Sequence, residues 1–221
     1  MSGILRRLAC YTAASASAPS RMQKTFIDAD TLLLDSFRLA AKIYEDGFRP
    51  DLLVGIWRGG SAVGIAVQEA LEYFGIDMDH FAIRTSYEGP RSYSDRLEGK
   101  RRTRVHGLDY VLRVVEQHHS MLIVDDVYST GNSVDAVRKK LARKGRYNCP
   151  HDIRVATLWY RPSPKTKRTP DYCLHETEDW LVLPYELDGL TDDELRLHKP
   201  VAADVVDEYR RTASPARPSK R

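Results

Sequence analysis

Residues 121–133 read MLIVDDVYSTGNS, an apolar run, two adjacent carboxylates and a turn of small residues. Ser129, Thr130, Gly131, Asn132 and Ser133 lie where a strand-like sequence gives way to a helix-like one. Hydroxyls and backbone N–H groups at such a point, with the positive end of a helix dipole behind them, suit a phosphate. Gly131 allows a backbone approach that a Cβ would block. The stretch lacks the lysine and the GxxxxGK spacing of a P-loop, and it is not the GxGxxG dinucleotide fingerprint. Carboxylates beside a phosphate repel it unless they face hydroxyls or a cation. A sugar phosphate with a vicinal diol, accompanied by Mg²⁺, satisfies both conditions, so Asp125 and Asp126 are candidate diol and metal ligands.

The elements that must hold this turn follow from periodicity. Residues 30–46 place Leu33, Phe37, Ala40, Ala41 and Tyr44 on one helical face, with Gly47 as the stop. DLLVGI (51–56) reads as a strand, WRGGS as a turn, and Ser61 as the cap of a helix ended by Gly75. HFAIRTS (80–86) is the next strand. Residues 87–104 are polar, highly charged and without apolar periodicity, and are expected to form a long flexible lid. A helix over 107–117 precedes the buried strand MLIVD, and Ser133 is expected to cap the helix VDAVRKKLARK, closed by Gly145. IRVATLWY (153–160) is a strand; 172–176 and 180–186 are weaker ones. Strands alternating with helices predict an α/β fold with a doubly wound parallel sheet. Ligands of such sheets bind beyond the carboxyl ends of the strands, which singles out WRGGS, SYEGPRS, DDVYSTGNS and YRPSPK.

On these residues the chain resembles the type I phosphoribosyltransferases. IVDDVYSTGNS is similar to their phosphoribosyl-pyrophosphate loop, in which two acids precede a Thr-Gly-x-Thr/Ser turn that holds the 5′-phosphate. GIWRGGS resembles the family's pyrophosphate loop; the resemblance assigns Arg58, Gly59 and Gly60 to the diphosphate and makes Arg58–Gly59 the candidate for a cis peptide. Ser86 and Tyr87 match the Ser-Tyr pair that opens the flexible catalytic loop in the purine branch, which implies a catalytic role for them beside Asp125 and Asp126. YRPSPKTKRTPDYCLHETEDWLVLPYE (160–186) is similar to the C-terminal hood of bacterial xanthine-guanine and related hypoxanthine transferases. By that likeness Trp180 stacks on the purine, Leu181 lies where the backbone reads the ring edge, and Arg161 stands where relatives place a lysine for the 6-oxo oxygen. Glu186 matches a carboxylate that helps hold Mg²⁺, so the implied metal set is Asp125, Asp126 and Glu186.

The resemblance covers about 27–190. It implies a phosphoribosyltransferase core with a flexible lid and a small hood, preceded by an extension over 1–26 and followed by a helical, basic tail over 191–221. The implied reaction moves 5-phosphoribosyl from phosphoribosyl pyrophosphate to a nucleobase, a 6-oxopurine in the first place, with release of diphosphate. One residue departs from the pattern: 6-oxopurine enzymes usually carry aspartate before Thr-Gly, and this chain carries Ser129. Adenine, orotate and uracil relatives also lack an acid there. The same chemistry on adenine or a pyrimidine is therefore an alternative, as is a weakly catalytic phosphoribosyl-pyrophosphate-binding regulator.

Bulk properties agree with a protein of this kind. Of 221 residues, 42% are apolar and 29% charged, within the range of globular chains. No apolar run approaches the ~20 residues that span a bilayer, and no membrane partner is expected. Net charge is only +3 and the basic excess sits at the ends, where it describes a solvated tail; with no basic patch and interleaved aromatics in the body, nucleic-acid binding is not expected. Cys10, Cys149 and Cys173 are too scattered for a disulfide framework or a zinc site and point to a reducing, cytoplasmic setting. Residues 1–21, rich in Ala, Ser and Arg, read either as an organellar targeting segment or as an over-extended start ahead of Met22. A homo-oligomer, dimer or tetramer, is expected. His118 and His119 diverge by about 100° on a helix and cannot share a metal, and no GxSxG elbow supports a serine triad.

Overall fold

The structure is a computed structural model and describes residues 24–87 and 103–212. Its strands are β1 (Lys24–Phe26), β2 (Leu52–Trp57), β3 (Asp79–Tyr87), β4 (Thr103–His106), β5 (Ser120–Tyr128), β6 (Asp152–Tyr160), β7 (Tyr172–Glu176) and β8 (Trp180–Val182). Its helices are α1 (Ala29–Glu45), α2 (Gly59–Tyr73), α3 (Val111–Val114), α4 (Asn132–Gly145), α5 (Asp192–His198) and α6 (Pro200–Thr212).

A six-stranded sheet runs β4-β3-β2-β5-β6-β7, parallel throughout except for the antiparallel edge pair β3/β4. The alternation of side chains across these strands divides the interior in two. Leu53, Leu122, Val124 and Leu158 face α1 and α2, where they meet Leu39, Ile43, Val63, Val67 and Leu71. Leu52, Val54, Met121, Ile123 and Val155 face the other way and meet Val111, Val137 and Leu141 of α3 and α4. Coverage of both faces explains why β2 and β5 are nearly continuous apolar runs. Each such fully buried aliphatic side chain contributes roughly 1.5–3 kcal/mol. The expected α/β architecture is therefore the one found.

From β2 the chain crosses to β3 on one side, whereas β5 lies on the other side of β2. The crevice between the carboxyl ends of β2 and β5 is thus a topological switch point, where ligands of doubly wound sheets settle. A second, two-stranded sheet pairs β1 with β8 in parallel, Lys24 opposite Trp180.

Several expectations needed correction. α2 begins at Gly59 with Arg58 at the cap position and no side-chain cap; Ser61 lies inside the first turn, its Oγ buried without a partner among the described residues. α4 begins at Asn132 because Gly131, at φ 74°, already turns the chain, so Ser133 is not the cap. β5 does not stop at the carboxylates but runs on to Tyr128, with Asp125 opposite Thr157 of β6. The helix expected over 107–117 is the single turn α3; Val115, extended at ψ 135°, already leads toward β5. The strand expected over 180–186 ends at Val182, ahead of Pro184 and its turn. β1 and β4 were not anticipated. β4 takes the last residues of the expected lid, Thr103 and Arg104, and pairs them with Tyr87 and Ser86; residues 88–102 lie outside those described. Among the described residues no helix is long and apolar enough to cross a membrane.

Candidate active site

A cleft of about 330 Å³ opens at the switch point, and four loops line it. After β2 the Trp57–Arg58 peptide is cis, one bond earlier than expected. The two glycines that follow answer to different neighbours. A Cβ on Gly59 would overlap the Asp126 carboxylate and the Tyr185 hydroxyl, whereas one on Gly60 would overlap the Val124 carbonyl. Gly59 thus belongs to the site, and Gly60 lets α2 lie against β5. The exposed Arg58 guanidinium stands 3.7 Å from Glu186 Oε1.

On the last turn of β5, Asp126 is held from several directions. Its Oδ2 accepts from the Tyr185 hydroxyl at 2.7 Å, its Oδ1 from the Val127 N–H at 2.8 Å, and its carbonyl from Thr157 Oγ1 at 2.8 Å. Asp125 Oδ1 accepts from the Asp126 N–H at 3.1 Å. Burial, reinforced by the neighbouring Asp126 charge, pushes the Asp125 carboxyl well above the usual carboxylate range. Burial and then the same charge raise the Tyr185 hydroxyl far enough that it remains a donor.

The turn after β5 forms an anion cradle. Gly131 adopts the left-handed region and packs on the Tyr128 hydroxyl, with no room for a Cβ. The Asn132 N–H meets Thr130 Oγ1 at 3.4 Å, and the Asp135 N–H bonds to the Gly131 carbonyl at 2.9 Å as the helix starts. The first N–H groups of this 14-residue helix have no partner inside it and point out of its N-terminus. Ser129 Oγ is buried and has no hydrogen-bond partner among the described residues, while its carbonyl accepts from Thr166 Oγ1 at 2.8 Å. A smaller cavity of about 110 Å³ adjoins the cleft and is lined by residues of this turn, Gly131 and Asn132 included.

The fourth side is the hood. The Arg161 guanidinium lies 5.7 Å from the centre of the Trp180 ring, and the Arg161 N–H bonds to the Tyr128 carbonyl at 2.8 Å. Trp180 stands on β8, which β1 supports; Thr25 Oγ1 donates to Asp179 Oδ2 at 2.8 Å.

Of the residues singled out in the sequence, Arg58, Gly59, Asp125, Asp126, Ser129, Thr130, Ser133, Arg161, Trp180, Leu181 and Glu186 share the main cleft. Ser86 is not among those lining it. Its Oγ pairs with His106 Nε2 at 2.8 Å across the β3/β4 hairpin, and the preceding residue, Thr85, reaches the cleft, 3.2 Å from Ser133 Oγ. Tyr87 closes β3 at the limit of the described residues. Thr85, Leu183 and Tyr185 line the site and were missed. The alternation of a strand, applied to RTSY, is the signal that could have favoured Thr85 over Ser86.

The donors present suit a hard cation. Asp126 and Glu186 offer carboxylate oxygens to one cleft. Among the described residues, however, no group of three or more His, Cys, Asp or Glu side chains is gathered to hold an ion alone. That pattern fits Mg²⁺, which keeps waters and shares its shell between one or two carboxylates and substrate phosphates.

A family model described as the phosphoribosyl transferase domain matches residues 23–188. The chain belongs to that family. It is a phosphoribosyltransferase, and its doubly wound sheet is the family's core. Comparison with curated proteins returns no match. Among solved structures, a purine phosphoribosyltransferase from Pyrococcus horikoshii superposes with a TM-score of 0.57 at 23% identity, covering 76% of this chain and 97% of the other. A hypothetical protein from Neisseria gonorrhoeae with bound ppGpp reaches 0.61 at 21% identity, covering 83% and 99%. A xanthine-guanine-hypoxanthine phosphoribosyltransferase from Helicobacter pylori reaches 0.55 at 20%, covering 75% and 95%. At these identities the likeness is one of fold.

Proposed function

We propose that this phosphoribosyltransferase serves a 6-oxopurine, joining a ring nitrogen of hypoxanthine, guanine or xanthine to C1′ of phosphoribosyl pyrophosphate as diphosphate leaves. The observation that carries the reading is the meeting of two walls in one cleft: a phosphate cradle with paired carboxylates on one side, and Arg161 with Trp180 on the other. In this reading residues 129–133 bind the 5′-phosphate, and the unpartnered Ser129 hydroxyl is a donor suited to a phosphate oxygen. Asp125 and Asp126 face the ribose diol. Arg58 and the backbone at Gly59 and Gly60 receive the diphosphate. Trp180 stacks on the base, which is worth roughly 1–3 kcal/mol, beside Leu181, and Arg161 donates to the 6-oxo oxygen. Ser86 and Tyr87, at the end of β3, take the catalytic role that the family likeness implies for them.

Bond breaking runs ahead of bond making in an oxocarbenium-like transition state, so the site's contribution is positioning and charge control. Asp125, Asp126 and Glu186 would hold Mg²⁺, which would supply charge neutralisation for the leaving diphosphate. The transferase domain is read as residues 27–190, with β1 ahead of it and the tail of 191–221 after it, a homo-oligomer in the cytoplasm with residues 1–21 as an optional organellar address.

Adenine or a pyrimidine is the second reading, favoured by Ser129, which offers no carboxylate for the proton on N7. A Mg²⁺-dependent nucleotide-forming assay over a panel of nucleobases tests both, with ppGpp added as a competitor because a structural neighbour carries it. Turnover confined to 6-oxopurines, raised further by Ser129→Asp, supports the first reading. Turnover confined to adenine or a pyrimidine overturns it.

A further inference from the structure

Residues 183–186 form a turn closed by the Glu186 N–H on the Leu183 carbonyl at 3.0 Å, with Pro184 at its second position. The turn delivers two side chains to the cleft. Tyr185 reaches Asp126, and Glu186 faces Arg58 through Oε1 while its Oε2 accepts from the Leu183 N–H at 3.2 Å. The peptide flip that would redirect the third residue needs a positive φ there, which a tyrosine disfavours, and Tyr185 keeps a negative one.

Lys199 lies between α5 and α6 and does not line the cleft. Its ammonium donates to the carbonyls of Leu183 at 2.5 Å, Pro184 at 3.1 Å and Glu186 at 2.6 Å. Three protons thus meet three acceptors, all from one turn. Through the Pro184 carbonyl the ammonium grips the central peptide of the turn directly. Among the described residues no carboxylate bonds to this ammonium; burial pulls its pKa below that of a free lysine, and the nearby Glu186 charge offsets part of that. A partly desolvated ammonium that gives all its protons to one turn does more than fill space, for which an apolar side chain would serve better.

We propose that Lys199 is a positioning residue for phosphoribosyl-pyrophosphate binding, setting the 183–186 turn so that Tyr185 holds Asp126 and Glu186 stands opposite Arg58. The C-terminal helices are then a working part of the active site. This inference rests on the reading of Asp126 as a diol ligand.

Lys199→Met and Lys199→Gln test it, with KM for phosphoribosyl pyrophosphate and for the base, the Kd of phosphoribosyl pyrophosphate with Mg²⁺ by calorimetry, and the thermal midpoint. Lys199→Met is expected to raise the KM and Kd of phosphoribosyl pyrophosphate about tenfold and the KM of the base by less than about twofold. Lys199→Gln, which keeps amide donors, falls between wild type and Lys199→Met. In a Tyr185→Phe background the effect of Lys199→Met shrinks below about threefold, because the contact it acts through is already gone. A lowered midpoint with unchanged KM and Kd, or full additivity with Tyr185→Phe, overturns the proposal; should Lys199→Met not fold, Lys199→Gln decides on the same readings. Asp126→Asn separates the two layers. If it leaves phosphoribosyl-pyrophosphate binding intact, the diol reading fails; if it weakens binding while the Lys199 variants do not, only the positioning role fails.

Discussion

The wall of the cleft proposed for the phosphate runs from Asp125 to Ser133 without a break in the chain, whereas the wall proposed for the base takes Arg161 from just beyond β6 and Trp180 from β8, and relies on β1 to keep β8 in place. The first wall is largely local. Its groups follow one another through a strand end, one left-handed glycine and a helix N-terminus, and only Asp126 and the Ser129 carbonyl lean on distant partners, Tyr185, Thr157 and Thr166. The second is assembled from distant pieces, so its geometry depends on contacts made elsewhere. A local wall is suited to the part of the substrate that does not vary, the sugar phosphate. An assembled one can be re-formed around a different base without disturbing the cradle.

Substitutions in the two walls should therefore fail differently, and the largest effect belongs to the local wall. Asp126→Asn and Asp125→Asn should each lower turnover by about tenfold or more on every base accepted, the equivalent of roughly 1.4 kcal/mol of transition-state binding. Steady-state kinetics across the panel checks this, and full activity in both variants would remove the diol assignment. Trp180→Leu should act on the base alone. Its KM should rise roughly fivefold, near ~1 kcal/mol, with that of phosphoribosyl pyrophosphate unchanged; an equal rise in both would mean the walls are not separable.

The smallest effect is one of stability. Burial and the Asp126 charge hold the folded-state pKa of Asp125 above its ordinary value of 3.8. The protonated carboxyl therefore contributes stability that is full below that ordinary value and is lost as pH rises through the raised one. Asp125→Asn removes this loss. Its thermal midpoint at neutral pH should exceed that of wild type by about 2–4 °C for each kcal/mol recovered, and the gap should close under acid conditions. A gap that widens on acidification would show that the carboxyl is stabilised as its anion. A buried carboxyl kept at the expense of stability fits the trade between stability and activity that active sites make.

The contrast between the walls also explains what could be read from the residues alone. DDVYSTGNS carries its geometry in its own spacing, so the cradle and both carboxylates were legible, as were the buried strands that set the sheet. The limits of β5 and of both capped helices were not, because a strand extends as far as its neighbour offers hydrogen bonds, and β6 pairs as far as Tyr128 and Tyr160. β1 carries no pattern of its own; three residues become a strand only because β8 lies beside them. Tyr185 escaped notice for a related reason. Its partner Asp126 is 59 residues away, and nothing in PYE distinguishes a hydroxyl that grips a carboxylate from one that meets water.

The pairing of β1 with β8 sets the order in which the molecule can be completed. Thr25 and Asp179 are 154 residues apart, so β1 must wait for almost the whole domain before it has its partner β8. The 129–133 turn, by contrast, is complete within a few residues. A nascent chain paused before β8 would carry that turn and Asp126 but neither Trp180 nor Tyr185, so the ring proposed for the base and the hydroxyl that grips the carboxylate arrive last.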